Sequence, residues 1–327
     1  MIYLIIASFL LFYSVYTLLS IVSSLFYKEP NYSSKADNHS VLVFFPVYKA
    51  NKKLVQNLKY MRSQLANIDA KIYVLSQDSE LMIDREIESL SDYFDSKSFS
   101  SLKGNSYHHA LEFAVNRMEN FSNAEGSSFD SILILDPDNT MNEDSINRLI
   151  QGRGNGADVV LSKRAALNND GSISLFDGIS ERLNDYMLRK SKHVLGLIPE
   201  LSGSGMMVEQ SLFRKAVLAL DKKAPGMDKQ LLINMMFENK SLNIVFDEQA
   251  VVYDEKTTDS RAFNRQRLRW FGNQYYNAKK FGFKLLFSGR LSLIDYAIVL
   301  CRPPRSFQVV ASFLFIPVDL MLLYFNI

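Results

Sequence analysis

Residues 132–139 set the tightest constraint on what this chain can fold into. Ile132-Leu133-Ile134-Leu135 is a short apolar run, and Asp136-Pro137-Asp138-Asn139 stops it. A run of this length bounded by turn residues predicts a strand buried on both faces of a parallel sheet. Ligands of open α/β sheets sit beyond the carboxyl ends of the strands, so Asp136 and Asp138 fall on a ligand-facing rim. Carboxylates in a D-x-D pair can approach one hard divalent cation whose remaining positions go to substrate phosphates. Read alone, the same residues are also an ordinary strand-ending turn, with Asn139 available to cap the next helix.

With 327 residues, 47% hydrophobic and 22% charged, the chain has room for one large domain and appendages. A formal net charge of +2 argues against a nucleic-acid binder driven by a basic surface. One cysteine, Cys301, excludes an intrachain disulfide, and with only four histidines a Cys/His zinc site is not expected. Such cysteine usage fits a reducing compartment for the catalytic part.

Residues 1–27 contain no charge, and at about 1.5 Å per residue they can cross a hydrocarbon core of about 30 Å. No basic segment precedes the run and no clear small-residue cleavage site follows it, so it predicts a transmembrane helix rather than a signal peptide. Residues 306–327 form a second apolar run interrupted by Pro317 and Asp319. A charge near mid-membrane costs roughly 3 kcal/mol, so Asp319 is expected near an interface or facing a protein partner. Residues 291–301 are too short to span and carry Asp295, which fits a segment at the membrane surface. Lys28, Lys279, Lys280, Lys284, Arg290, Arg302 and Arg305 all lie on the side of the central region, which the positive-inside rule places in the cytoplasm. The expected layout is a transmembrane helix at 1–27, a linker at 28–40, a cytoplasmic domain at 41–280, a membrane-interface segment at 281–305 and a second transmembrane helix at 306–327. It describes a multi-pass protein of the cell membrane.

Within the central region, Val41 to Phe45 reads as a buried strand ended by Pro46-Val47-Tyr48, and residues 51–65 have helical spacing through Leu54, Leu58, Met61 and Leu65. Ile72 to Leu75 is a second strand, with Asp78 just past its end, and residues 80–94 are expected to be helical. Strand, helix, strand with short connections is the pattern of a parallel sheet covered by helices. Lys103-Gly104-Asn105-Ser106 leads into another helix and reads either as an anion-binding turn or as a plain capped turn. After the D-x-D turn come a helix at 142–150, a glycine loop at 152–156 matching no P-loop or dinucleotide fingerprint, and a strand at 158–161. Gly203-Ser204-Gly205 allows a close backbone approach or a tight turn, and Asp228 opens a helix, where capping is its ordinary use. Residues 243–246 and 250–253 read as two strands. The basic, aromatic helix at 261–280 carries Gln266, Arg269 and Trp270 on one face, and lipid-interface contact is one use of such a face.

Taken in order, Pro46-Val47-Tyr48, Asp78, Asp136-Pro137-Asp138, Gly203-Ser204-Gly205, Asp228 and Gln266-Arg267-Leu268-Arg269-Trp270 resemble the family-two inverting glycosyltransferases, in particular the membrane-embedded branch with the cellulose, chitin and hyaluronan synthases. The resemblance implies an α/β fold of GT-A type with a mostly parallel central sheet, here flanked by N- and C-terminal transmembrane helices. It implies a nucleotide-sugar donor, most often a UDP-sugar, and a Mg2+ or Mn2+ ion. By the same resemblance Pro46, Tyr48 and Asp78 lie around the nucleobase and ribose, and Lys103 stands where the family has a donor-binding lysine. Asp138, supported by Asp136, holds the metal on the diphosphate. Asp228 is the general base, and Gln266, Arg269 and Trp270 hold the diphosphate and the acceptor end.

Three departures accompany the match. Met227-Asp228 stands for the family's Glu-Asp, Lys49-Ala50 for its Asn-Glu, and Lys103-Gly104-Asn105-Ser106 for its Gly-Lys-rich segment. The activity implied is sugar transfer to a growing polysaccharide in exopolysaccharide or cell-envelope synthesis. With two spans the chain builds no channel unaided, so a homo-oligomer or export partner is expected, or a membrane-bound acceptor without extrusion. A glycolipid synthase using a lipid-linked acceptor and a non-catalytic scaffold of an export complex are the alternatives.

Overall fold

The computed structural model describes residues 2–32, 39–126, 128–168, 171–311 and 324. The chain opens with helix α1 (Ile2–Ser24), followed by β1 (Val41–Tyr48), α2 (Lys52–Gln64), β2 (Ala70–Gln77), α3 (Leu81–Glu88), β3 (Tyr93–Ser96), α4 (Ser106–Glu125), β4 (Ser131–Ile134), β5 (Thr140–Met141), α5 (Glu143–Gly154) and β6 (Val159–Ala166). A continuous helical run then comprises α6 (Ser172–Asn184), a π-helical turn (Asp185–Lys190) and α7 (Ser191–Val194). The rest is β7 (Met206–Glu209), α8 (Gln210–Leu218), α9 (Asp228–Glu238), β8 (Ile244–Asp254), α10 (Ser260–Leu286) and α11 (Leu291–Leu300).

The eight strands form one mixed sheet in the order β3-β2-β1-β4-β7-β6-β8-β5. β1 pairs in parallel with β2 and β4, β2 with β3 and β6 with β8, while β7 runs antiparallel to β4 and β6, and β5 antiparallel to β8. β1 and β4 are fully buried apart from Tyr48, as expected of central strands covered by helices on both faces. Two apolar clusters lie on opposite faces, one centred on Leu42, Phe44, Ile132 and Ile134, the other on Val41, Val43, Phe45 and Leu133. The period-two alternation of strand side chains produces this division.

Several expected boundaries move. The stretch 80–94 is helical only through Glu88; β3 then joins the sheet edge, where the Ile72 amide donates to Asp92 Oδ2 at 2.7 Å and Tyr93 stacks on Phe121 at 3.9 Å. Tertiary contacts override helical spacing here. The expected glycine loop at 152–156 belongs largely to α5: a Cβ at Gly152 would lie 2.8 Å from Val160 Cγ2, so glycine permits close packing of α5 on β6. Asn139 caps no helix; α5 is capped by Asn142, whose side chain accepts from the Ser145 amide at 2.9 Å. The two strands expected at 243–253 are one bulged strand, β8. Its register with β6 slips between Ser162 and Lys163, and Asp247 Oδ1 accepts from the amides of Gln249 and Ala250 in the bulge.

α1 is long and apolar enough to cross a membrane over Leu4–Ser24. Leu10, Tyr13, Ser20 and Ser24 are buried against the protein, while Leu11, Phe12, Val15, Leu18, Leu19 and Val22 face outward. α1 packs on the π-helical turn and α7. Tyr16 and Lys192 both donate to Asp295 Oδ1, at 2.8 and 2.7 Å, so the charge of Asp295 is paired within the protein. α11 packs into the core through Leu293, Tyr296, Val299 and Leu300. Residues 305–311 are helical, and the remainder of the span expected at 306–327, including Asp319, lies outside the described residues apart from Tyr324.

Candidate active site

The D-x-D turn leaves the end of β4 and is fastened from behind. Ser204 Oγ accepts from the Asp136 amide at 2.8 Å and hydrogen-bonds the buried Asn139 side chain, whose Nδ2 donates to Asp138 Oδ1 at 3.1 Å. Gly203-Ser204-Gly205 thus acts as a clamp on the acidic turn, with Gly205 at φ +67° wedged against Ser162 and Val252.

In front of the turn is a cavity of about 370 Å³ lined by Asp136, Asp138, Arg164, Asp254, Gln266 and Trp270 together with residues 255–259 and the inner face of α6. α10, capped by Asp259 at the Ala262 amide (2.7 Å), brings Gln266 and Trp270 in. Gln266 Oε1 is buried there with no hydrogen-bond partner among the described residues. Arg267, on the other side of the motif, donates to Asp177 Oδ1 (2.8 Å) and Ser180 Oγ (3.1 Å) of α6 and lies 4.8 Å over the Trp270 ring. It therefore fixes the indole by a combined ion-pair and cation–π contact. The cavity is mostly polar: Asp254 Oδ2 accepts from Arg164 Nε at 3.1 Å and Lys256 Nζ at 2.8 Å.

Asp228 and Arg269 do not line that cavity but adjoin it. Asp228, the first residue of α9, accepts from Asn273 Nδ2 of α10 at 2.6 Å. Arg269 is close enough to act electrostatically on both Asp136 and Asp228, and Tyr107 of α4 interacts with all three. The strand-end acid, the helix-start acid and the arginine thus lie within electrostatic range of one another. Burial raises Asp228 above the usual carboxylate range, opposed by the Lys229 amide, its own amide, Arg269 and Asn273.

The remaining expected site residues sit on the rim beside β1 and β2. Tyr48 is 57% exposed and pairs with Gln77, next to the exposed Asp78, while Pro46 is buried within β1 rather than ending it. Lys49 and Asp78 both adopt positive φ, 54° and 53°. The Lys103 side chain is exposed, and its carbonyl lies 2.9 Å from His109 Nε2 in the turn before α4. Neither Tyr48, Asp78 nor Lys103 lines the cavity.

The acidic turn can be tested as a metal site on its donor chemistry. Among the described residues no group of three or more His, Cys, Asp or Glu forms a metal cage. Two carboxylates are nevertheless the set for a hard cation that keeps positions for phosphate oxygens and water. Asp136 and Asp138 are partly open to the cavity yet surrounded by protein. Burial raises Asp136 to about 6, with Asp138 and Asp254 adding to the rise and Arg164 and Arg269 opposing it, and Asp138 is raised by the same cause. Across the cavity, Asp254 Oδ1 is buried without a hydrogen-bond partner among the described residues. These residues fit a divalent cation shared with a diphosphate.

A family model described as glycosyl transferase family group 2 matches residues 131–326, more than half of the chain and every motif from the D-x-D turn onward. The chain belongs to that family. This glycosyltransferase is similar in fold to the mannosyltransferase PcManGT from Pyrobaculum calidifontis, solved in complex with GDP-Man and Mn2+, with a TM-score of 0.60 and 11% identity over 93% of this chain and 88% of that one. A mycobacterial protein matches with a TM-score of 0.50 and 12% identity over 77% of this chain and 79% of that one. No curated protein matches the sequence. The expected GT-A-like α/β fold is thereby borne out.

Arg164, Asp254, Tyr107, Arg267 and Asn273 were not legible as site residues from the sequence. Asp254 had a signal as a strand-ending acid, and Asn273 lies one helical turn after Arg269. Arg164 and Tyr107 enter through the topology of the sheet and of α4, for which no local pattern exists.

Proposed function

We propose that this transferase moves a sugar from a nucleotide donor, most simply a UDP-sugar, to a carbohydrate or lipid-linked acceptor at the cytoplasmic face of the cell membrane, with inversion at the anomeric carbon. The observation that carries the reading is that Arg269 acts electrostatically on both Asp136 and Asp228, which supports a diphosphate at the acidic turn beside an acceptor at the start of α9.

Asp136 and Asp138 would hold Mg2+ or Mn2+, which when bound offsets the negative charge of the donor diphosphate. An acceptor hydroxyl is a weak nucleophile at neutral pH. Asp228 takes its proton as the oxygen bonds to the anomeric carbon and the bond to the nucleoside diphosphate breaks. Arg269 stabilises charge on the departing diphosphate, Gln266 offers a buried acceptor, unpartnered among the described residues, to a donor hydroxyl, and Trp270 presents an apolar ring face to a sugar. Tyr48 and Asp78 form an open rim for the nucleobase and ribose, and Lys103 approaches from the start of α4.

Membrane placement is supported by the outward apolar face of α1 and by the polarity of α6. Leu175, Phe176, Ile179 and Leu183 of α6 point outward, while Asp177 and Glu181 line the cavity. That arrangement suits a helix lying in the lipid interface. The second span at 306–327, a multi-pass topology, and a homo-oligomer or export partner belong to the same proposal. Purified full-length protein in detergent, screened against nucleotide sugars, is expected to release nucleoside diphosphate from one donor class when Mg2+ or Mn2+ is present. Partition of radiolabelled product into organic solvent identifies a glycolipid, and retention as polymer a polysaccharide. No release from any donor with either cation contradicts the reading.

Asn273→Ala tests the base. It removes a hydrogen bond that favours ionised Asp228, so the acid limb of the kcat/KM profile is expected to move to higher pH, with a several-fold loss at neutral pH. The limb itself is expected above the ordinary aspartate value, because activity is lost as pH falls through the raised pKa of Asp228.

A further inference from the structure

A second charged cluster links Asp228 to α1. Arg302 follows α11 and is held by its backbone, whose carbonyl accepts from Gln274 Nε2 at 2.7 Å and the Tyr275 hydroxyl at 3.2 Å. The residue is 9% exposed, and Nη1 has no hydrogen-bond partner among the described residues. The groups that favour its charge are the phenols of Tyr16, Tyr13 and Tyr275; among the described residues no carboxylate does so. Nearby cations add to the imbalance. Burial, then Arg302 and Arg267, push Arg305 down to about 10, and burial, then Arg302 and Arg189, push Lys229 down to about 7. Arg305 donates to the neutral Asn184 side chain, and Lys229 pairs with Glu200. Two carboxylates face these cations: Glu200 is paired with Lys229, and Glu181, which acts on Lys229 and Arg305, is already bonded to Arg189. Buried charges are normally paired, because an unpaired one forfeits its hydration without return.

We propose that Arg302, Arg305 and Lys229 form a binding site for a phosphate group carried by the acceptor. The assignment rests on the transferase reading above and adds the acceptor's chemical class. Guanidinium groups match phosphate oxygens in a two-pronged geometry that a lone ammonium cannot. Lys229 follows Asp228 in sequence, and its Nζ lies 3.9 Å from Asp228 Oδ2. A phosphate bound there holds the acceptor beside the proposed base. The phosphate can belong to a membrane lipid or to a water-soluble molecule.

The test uses full-length protein in phosphatidylcholine nanodiscs and reads the melting temperature with two probes, inorganic phosphate in solution and phosphatidic acid in the disc. Nucleoside diphosphate binding with Mn2+ is measured by calorimetry in parallel. A phosphate-bearing probe is expected to raise the melting temperature of the wild type, with an apparent affinity at least tenfold weaker in Arg302→Gln. Arg302→Gln without probe is expected to melt no lower than wild type, since it loses an unpaired buried charge, and to bind nucleoside diphosphate unchanged. A shift with phosphatidic acid alone assigns the phosphate to a lipid, and a shift with both probes to a soluble acceptor. No shift with either probe, a shift undiminished in Arg302→Gln, or a marked drop in the melting temperature of that variant overturns the site. Phosphate binding by a wild type that fails to bind nucleoside diphosphate sustains the anion site but overturns its assignment to the acceptor, and the transferase reading with it.

Discussion

Asp228→Asn is expected to lower sugar transfer by about 10²- to 10⁴-fold, the contribution general-base catalysis commonly makes, while leaving nucleoside diphosphate affinity near the wild-type value. The substitution keeps the size of the side chain and an oxygen to accept from Asn273, so α9 and its contacts to α10 persist. What it removes is the group that takes up the acceptor proton. Asp228 also lies outside the cavity that holds the acidic turn, so the donor site is largely undisturbed. Steady-state kinetics set beside calorimetry of nucleoside diphosphate with Mn2+ separate the two effects. Transfer at the wild-type rate removes Asp228 from the role of base.

Gly205→Ala is expected to destabilise the domain by about 2–5 kcal/mol, combining the cost of a left-handed backbone for a residue with Cβ with that of overpacking a filled site. The φ of +67° already favours glycine, and the added Cβ would sit 2.4 Å from Ser162 Oγ and 2.5 Å from Val252 Cγ1. Ser162 and Val252 belong to β6 and β8, paired along their whole shared length, and cannot retreat without disturbing that ladder. The damage extends to chemistry, because Ser204 holds the Asp136 amide and the Asn139 side chain. Chemical denaturation of wild type and variant measures the loss; an unchanged midpoint contradicts the close approach.

Patterns confined to one element were legible in the sequence. The strand 132–135 with its carboxylates, the helix read at 51–65, and the common face of Gln266 and Trp270 follow from periods of two and 3.6 residues and from turn chemistry. Less legible were features that depend on long-range packing. β3 owes its place to Phe121 and Ile72, and the bulge of β8 to Asp247 folding back on its own amides. The α6 run gave no sequence signal of its role, because its polar face turns inward to the cavity and its apolar face outward, the reverse of a soluble amphipathic helix. Arg267 illustrates the same limit inside a recognised motif. Its partners Asp177 and Ser180 are about ninety residues away in the chain, and only the fold brings them together.

Divalent-cation dependence of nucleoside diphosphate binding, measured by calorimetry on wild type and Asp138→Asn, tests the central claim most directly. Wild type is expected to bind tightly with Mn2+ or Mg2+ and at least tenfold more weakly in chelator, and Asp138→Asn to show the weak affinity under both conditions. Equal affinity with and without the cation, or a variant that binds as wild type does, would contradict a metal-bound diphosphate at the acidic turn.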